Sequence, residues 1–134
     1  MTTLRVLLLT AVAALALVAC GGSDEDKIRD TYSSYSKALA DGETEKACEY
    51  LTPQAVNRLK SLGAKSCPAA LKQGFAALNR KQRSAFKKVK ITNVTVTGEK
   101  ATITLEFPKN SGIPTAPQAL SKVDGDWKLE AAAA

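Results

Sequence analysis

The hydrophobic positions after residue 22 first follow the period of an α-helix. Four apolar side chains recur at spacings of four, three and four residues, which places them on one helix face. They are Ile28, Tyr32, Tyr35 and Leu39. Ser23 stands before an acidic first turn, which is typical of a helix N-terminus, and Gly42 lies just past the end of the pattern. We therefore predict a long opening helix with one buried face.

Three shorter helices are predicted next. Residues 43–51 form the second, and Thr52 and Pro53 open the third, because threonine caps a helix and proline suits its first position. The apolar face of the third helix consists of Val56, Leu59 and Leu62. A fourth helix is expected to begin at Ser66 and to end at Asn79. Its apolar stripe consists of Leu71, Phe75 and Leu78.

From Lys88 onward the hydrophobic period changes from helical to two, which is typical of β-strands. The alternation slips by one residue near Thr92 and Asn93, as it does at a β-bulge. A second strand alternates cleanly after a turn at residues 97–100. Its inward positions are Ala101, Ile103, Leu105 and Phe107. Residues 108–117 contain three prolines and predict a loop.

The last elements complete an antiparallel sheet. A third strand is expected over residues 118–123, and Asp124-Gly125 is a two-residue hairpin signal that leads into a final strand. Helices first and then antiparallel strands predict an α+β fold. The helix stripes and a bent sheet are buried together most economically when the N-terminal helices pack in the concave face of a curved sheet. We predict a single domain over residues 24–130 and a frayed tail over residues 131–134.

The N-terminus has a different character. Arg5 precedes an uncharged, largely apolar run over residues 6–19. This run is shorter than the about 20 residues of a membrane-spanning helix, but it suits the core of a signal peptide. It leads directly into Cys20, and the segment Leu-Val-Ala-Cys at residues 17–20 resembles the lipobox of bacterial lipoproteins.

The lipobox resemblance implies where the protein works. Residues 1–19 would be removed as a signal peptide, and Cys20 would carry the acyl chains, such as palmitate, of a lipoprotein. Residues 20–23 would then form the lipidated cysteine and a flexible tether. The expected localisation is extracytoplasmic, with the protein anchored by lipid to the cell membrane. The alternative is an ordinary secretory signal in which Cys20 has no role.

The charge of the chain is unevenly distributed. There are 19 lysine and arginine residues against 13 acids, a formal net charge of +6, and no acid occurs between Glu49 and Glu99. A basic face on an anchored protein can bind anionic lipid headgroups electrostatically. A solvated surface that keeps the protein soluble is the simpler interpretation, and we favour it. We expect no nucleic-acid partner, because exported proteins rarely meet nucleic acid and the basic segment lacks interleaved aromatic residues.

Cys48 and Cys67 remain once Cys20 is assigned to the lipid. A pair of cysteines in an exported chain predicts a disulfide bond, which contributes about 3 kcal/mol in the loop-closure model. No metal site is expected, because the chain has no histidine and two thiols do not complete a zinc site. A redox pair would need Cys-x-x-Cys spacing, which these residues lack.

The order of elements resembles the NTF2-like superfamily, and in particular small actinobacterial lipoproteins of unknown function. Four features carry the resemblance in addition to the opening helix. They are Ala-Leu-Ala-Asp-Gly at 38–42, Lys-Ala-Cys-Glu-Tyr-Leu-Thr-Pro at 46–53 with the later Cys67, the hairpin at 94–101, and Val-Asp-Gly-Asp-Trp-Lys-Leu at 123–129. The resemblance covers the chain after the tether. It implies a cone of helices on a curved sheet with a cavity at the open end.

The sequence offers no obvious catalytic set. Without histidine, Ser-His-Asp and Asp-His pairs are excluded, and there is no Gly-rich phosphate loop or cofactor motif. Enzymes of the superfamily that move protons use an aspartate with a tyrosine or a histidine, so a buried carboxylate beside Tyr32 or Tyr35 remains the enzymatic alternative. We expect no catalytic residue, no cofactor and no metal.

We therefore expect an envelope lipoprotein whose domain binds a small apolar ligand or an envelope protein without catalysis. A dry cavity favours the ligand, and a filled cone with an exposed apolar patch favours the protein partner. An isomerase- or hydratase-like enzyme and an inert spacer are the alternatives. The residues expected to line the cavity are Tyr32, Tyr35, Phe75 and Leu105.

The anchor generates the first testable prediction. Changing Cys20 to serine removes the sulfur that would carry diacylglycerol, so the variant is expected to leave the membrane fraction. Membrane fractionation with incorporation of labelled palmitate measures this directly. Tight membrane association of the serine variant would show that the anchor lies elsewhere.

Overall fold

The opening helix forms as the hydrophobic stripe predicts. In the computed structural model, which describes residues 23–131, helix α1 covers Asp24–Ala40 and the Ser23 Oγ accepts a hydrogen bond from the Asp26 amide at 3.2 Å. Its acidic first turn suits the positive end of the helix dipole. All four residues of the stripe are buried. Gly42 has a φ of 78° just past the helix end, where a side chain would be strained.

Three further helices begin at or within a residue of the expected positions. They are α2 (Thr44–Glu49), α3 (Pro53–Ser61) and α4 (Cys67–Ala77). Thr52 caps α3 by accepting from the Ala55 amide at 3.1 Å, and Ser66 caps α4 by accepting from the Ala69 amide at 3.3 Å. The prediction that Leu62 faces inward is wrong. Leu62 follows the last residue of α3 and is 79% exposed, because the helix ends before its stripe reaches that position.

A fifth helix was not predicted, and the expected role of Asn79 is wrong. Helix α5 covers Arg80–Ala85 and continues into a 3₁₀ helix over Phe86–Lys88. Asn79 does not end α4; it starts α5. Its side chain accepts from the Gln82 amide at 2.9 Å, and the Gln82 side chain accepts from the Asn79 amide at 3.1 Å, which is a capping box.

The four strands form one open antiparallel sheet in the order β1-β2-β3-β4. Their ranges are β1 (Lys90–Thr97), β2 (Lys100–Glu106), β3 (Ala116–Val123) and β4 (Asp126–Leu129). The predicted bulge is present, as a register shift between Ile91 and Asn93. Asp124 and Gly125 both have positive φ, 51° and 85°, in the predicted β3–β4 turn. In this sheet β1 and β4 are the edge strands.

The third strand starts two residues earlier than expected and includes Pro117. Pro117 pairs with Thr104 of β2, whereas β4 pairs only from Leu120 onward. Proline is tolerated in a strand where one side of the backbone has no ladder partner, and that is the case at this position. Pro117 therefore marks a part of β3 that is locally an edge.

The α+β prediction is confirmed, because the helices pack against one face of the sheet. Ala101, Ile103 and Leu105 of β2 are buried, whereas Thr102 and Glu106 are exposed. Helix α1 packs against both edge strands, β1 and β4, and so crosses the sheet. Part of the core is a chain of three phenylalanines stacked edge to face. They are Phe75, Phe86 and Phe107, with neighbouring ring centroids 5.5 and 5.3 Å apart.

The predicted disulfide is present between Cys48 and Cys67. It joins α2 to the first residue of α4, and these two helices also pack against each other. A short parallel bridge between Leu51 and Leu129 attaches the chain after α2 to the edge strand β4. The disulfide therefore holds α2 to α4, and the bridge holds the end of this helical unit to the sheet.

The predicted signal peptide, Cys20 and most of the tether lie outside residues 23–131. Within those residues, no helix is both long enough and apolar enough to cross a bilayer. Ala131, the first residue of the predicted tail, accepts a hydrogen bond from the Gln118 side chain at 3.0 Å.

Candidate functional site

A surface groove of about 620 Å³ lies between α1 and the segment that joins α5 to β1. We call it the α1–β1 groove. Four apolar or aromatic side chains contribute to it, one from α1 and three from the segment 86–91. They are Tyr32, Phe86, Val89 and Ile91. Polar and charged residues complete the lining, and most of them come from α1. They are Arg29, Asp30, Ser33, Ser36, Lys37, Asp41 and Lys87.

Two hydrogen bonds hold the walls of the groove together. The buried Ser36 hydroxyl donates to the Phe86 carbonyl at 2.5 Å, and the Arg29 guanidinium donates to the Ile91 carbonyl at 3.0 Å. The same Arg29 side chain bonds Glu25, four residues earlier on α1, at 2.9 Å. Because both contacts join α1 to the segment 86–91, the groove has a fixed width at two points.

The charges on the groove are mostly paired. Asp41 forms an ion pair with Lys37 at 2.6 Å and a longer one with Lys87 at 3.7 Å. The hydrogen bond from Lys37 lowers the pKa of the Asp41 carboxyl below its ordinary value. Asp41 is therefore an ionised, weakly basic carboxylate at neutral pH, and it is poorly suited to abstracting a proton.

Tyr32 is the least satisfied polar group of the groove. Its side chain is fully buried, and its hydroxyl has no hydrogen-bond partner among residues 23–131. Burial raises the pKa of this hydroxyl well above its ordinary value, so Tyr32 stays neutral. A buried hydroxyl without a partner costs stability, about 1–3 kcal/mol, and such groups often mark a functional position.

Of the four residues predicted to line a cavity, only Tyr32 is among those that line the α1–β1 groove. Tyr35 is fully buried in the core, with its ring centroid 6.1 Å from that of Tyr32. Phe75 packs edge-on against Phe86, and Leu105 is the cross-strand partner of Ile91. Phe75 and Leu105 are thus neighbours of two groove residues, Phe86 and Ile91.

Most of the groove residues were missed in the sequence because they belong to segments far apart in the chain. Arg29 and Ser36 lie on α1, whereas Phe86 and Ile91 follow the unpredicted helix α5. The capping box at Asn79 was the available signal, since it would have placed Phe86 at the end of a helix and next to the core.

The rest of the described chain offers no better-equipped site. A larger depression of about 750 Å³ near Glu130 has no aromatic residue in its lining and none of the residues predicted to line a cavity. No carboxylate in residues 23–131 is buried, and no group of three or more potential ligand side chains in that range could hold a metal ion. The buried acid beside a tyrosine hydroxyl that the enzymatic alternative requires does not occur among these residues.

Comparison with known proteins identifies the family. Residues 18–130 match the family described as a domain of unknown function, DUF4878. The chain belongs to the DUF4878 family. The match includes α1, the disulfide, the sheet and every residue of the α1–β1 groove. No curated protein matches this DUF4878 chain significantly. The family description supplies no activity, so the function has to be argued from the site itself.

The unsatisfied Tyr32 hydroxyl generates a prediction. Changing Tyr32 to phenylalanine removes a buried oxygen without a partner and keeps the ring, so we expect the free energy of unfolding to rise by about 1 kcal/mol. Urea denaturation followed by circular dichroism measures this. Tyr50, which is only partly buried, is the matched control, and Tyr50→Phe should leave stability nearly unchanged. A loss of more than about 1 kcal/mol in Tyr32→Phe would mean that the hydroxyl has a structural partner.

Proposed function

We propose that this DUF4878 protein is a lipid-anchored envelope protein with an NTF2-like domain that binds a small, largely apolar ligand in the α1–β1 groove without chemical conversion. The observation that carries the proposal is the groove itself. It brings four apolar or aromatic residues together with seven polar or charged ones, contains an unpartnered tyrosine hydroxyl and lacks a reactive pair.

The size and lining of the groove support a small ligand. Its volume of about 620 Å³ is in the range of about 300–1,000 Å³ that small-molecule sites occupy. The partly exposed Val89 and Ile91 offer apolar surface, and Arg29 and Lys37 stand among the polar residues around it. Such an arrangement suits a ligand with an apolar body and a polar or anionic head.

The electrostatics argue against the enzymatic alternative. Proton transfer needs a group whose pKa is poised near the working pH and a partner that orients it. The hydrogen bond from Lys37 lowers the pKa of Asp41, and burial raises the pKa of Tyr32, so both pKa values move away from neutral pH. Neither group is suited to exchanging a proton near neutral pH, so binding is the better use of the groove.

A protein partner at an apolar surface is the second candidate, and the described surface supports it less. Leu62 at 79% and Val96 at 37% are the large apolar side chains that are exposed among residues 23–131. They lie on different elements, the end of α3 and the strand β1. Protein-binding sites need a contiguous apolar patch, and two separate side chains do not form one.

The order of the elements supports the NTF2-like part of the proposal. Helices precede an antiparallel sheet, α1 crosses that sheet, and β1 carries a bulge that bends the strand. The lipid anchor is supported by the lipobox-like residues 17–20 and by the short distance along the chain from Cys20 to the start of α1. The Cys48–Cys67 disulfide is consistent with an oxidising compartment.

Filling the groove tests the proposal. Ile91→Trp places a large ring among the groove residues, so it should weaken binding of the fluorescent probe anilinonaphthalene sulfonate by about tenfold or more, which is about 1.4 kcal/mol. Val96→Trp is the matched control, because Val96 lies on the same strand but is not among the groove residues. Fluorescence titration of both variants and the wild type gives the dissociation constants.

The natural occupant requires a second measurement. Native mass spectrometry of wild-type protein released from its own membrane should show a bound small molecule, and the Ile91→Trp protein should lack it. Equal probe affinity in both tryptophan variants, together with no bound molecule in the wild type, would contradict the proposed use of the groove.

A further inference from the structure

Helix α5 and the 3₁₀ helix after it carry a row of exposed basic side chains. The row consists of Arg80, Lys81, Lys87 and Lys88, which we call the basic ridge. The two pairs are seven residues apart, or about two helical turns, so they lie on the same face. Ala85 and Phe86 occupy the opposite face and are buried in the core. The apolar face is thus already used for packing, and the basic face points to solvent.

Little negative charge offsets the basic ridge. Lys87 forms a long ion pair with Asp41 at 3.7 Å, and the other three side chains form no ion pair within residues 23–131. The sequence has no acid between Glu49 and Glu99, so none lies on α3, α4 or α5. Like charges held together without acids repel one another, and an anionic partner would relieve this repulsion.

The shape of the basic ridge favours an extended anion over a compact one. A small anion is held by donors that converge in a concave site, whereas these four side chains project from the outside of a helical segment. The two basic pairs are about 10 Å apart along the helix axis. A linear polymer with charges along its backbone can contact both pairs at once.

The position of the basic ridge relative to the proposed anchor argues against lipid headgroups. The three residues from Cys20 to Ser23 reach at most about 11 Å, so α1 would start near the bilayer. The 17-residue helix is about 25 Å long, and Asp41 at its far end contacts Lys87 of the ridge. If α1 points away from the bilayer surface, this separation exceeds the screening length of about 8–10 Å at physiological salt, and the vesicle experiment below tests that orientation.

A group of acidic residues lies at the start of α1, near the proposed anchor. The first turn of α1 carries Asp24, Glu25 and Asp26. Asp126 lies in the same region, because its neighbour Trp127 donates a hydrogen bond from its ring nitrogen to Asp24 at 3.0 Å. Lys122 pairs with Asp24 at 3.0 Å and Arg29 pairs with Glu25 at 2.9 Å, so these acids have cations beside them. By contrast, three of the four cations of the basic ridge have no ion-pair partner within residues 23–131.

We propose that the basic ridge binds a linear, phosphate-bearing polymer of the cell envelope. Three of its four cations are lysines, which bind phosphate as point charges and tolerate the variable geometry of a flexible polymer. The location outside the cytosol rests on the proposed function, whereas the polymer-binding property of the ridge does not. The lipid anchor holds one end of the domain at the membrane, and the ridge holds the envelope polymer at the other.

The experiment measures capture of the full lipidated protein, in detergent solution, on beads that carry poly(glycerol phosphate). The ridge variant is R80Q/K81Q/K87Q/K88Q. The matched control is K27Q/K46Q/K60Q/K65Q, which loses the same net charge from exposed positions on α1, α2, α3 and the turn after it. The half variants R80Q/K81Q and K87Q/K88Q keep the proposal testable if the fourfold variant does not fold. Circular dichroism verifies the fold of each protein.

We expect the ridge variant to bind about tenfold or more weakly than the wild type and the control variant to bind nearly as well as the wild type. Each half variant should lose part of the affinity. Wild-type binding should fall steeply as the salt concentration rises from about 50 to about 300 mM. Equal losses in the ridge and control variants would overturn the proposal, because only net charge would then matter.

A second arm tests the bilayer as the occupant. The wild-type protein is incorporated into vesicles of phosphatidylcholine, with or without phosphatidylglycerol, and its capture of the soluble polymer is measured by flotation. Equal capture by both vesicles supports the proposal, and loss of capture on the anionic vesicles would show that the ridge lies on headgroups instead. Protein that does not float with either vesicle would refute the proposed lipid anchor. The bead experiment would still test whether the basic ridge binds the polymer.

Discussion

The packing of α1 across the sheet is the constraint on which the rest of the structure depends. Its stripe is fully or almost fully buried, and the helix reaches from one edge strand to the other. Burying side chains of this size is worth about 1.5–3 kcal/mol each before the entropy of ordering is counted. No other described helix combines this length with a continuous buried stripe.

Polar contacts fix the direction of α1 on this apolar surface. At the start of the helix, Asp24 accepts from the Trp127 ring nitrogen and pairs with Lys122, each at 3.0 Å. The bond from Trp127 and the contact with Lys122 lower the pKa of Asp24, so its charge is kept to lower pH than in the unfolded chain. Near the other end, the Ser36 hydroxyl bonds the Phe86 carbonyl. Apolar burial alone would leave the angle of the helix less defined.

The parts of this fold that could be predicted from the sequence are those with a strong local signal. The stripe of α1, the alternation of β2, the bulge in β1 and the Asp124-Gly125 turn each depend on residues close together in the chain. Helix α5 has no apolar stripe, because Arg80–Ala85 is almost entirely polar and only its last residue is buried, so the capping box at Asn79 was its local signal. The groove was not predictable, because the bonds from Arg29 to Ile91 and from Ser36 to Phe86 join residues 50 or more positions apart.

The charge distribution gives the domain two distinct ends, and α1 sets the distance between them. Acidic residues cluster where α1 begins, near the proposed lipid anchor, and the basic ridge, in which only Lys87 has an ion-pair partner within residues 23–131, lies where α1 ends. The groove lies along the side of the same helix. One helix therefore positions the α1–β1 groove, the acidic first turn and the basic ridge.

Amide hydrogen exchange tests the central role of α1 most directly. If its packing holds the domain together, the amides from Tyr32 to Leu39 should exchange only through global unfolding, with the same free energy as Ile103 and Leu105 in the centre of β2. Faster exchange in α1 than in β2, by more than about 2 kcal/mol in opening free energy, would contradict the account, because the sheet would then be stable without the helix.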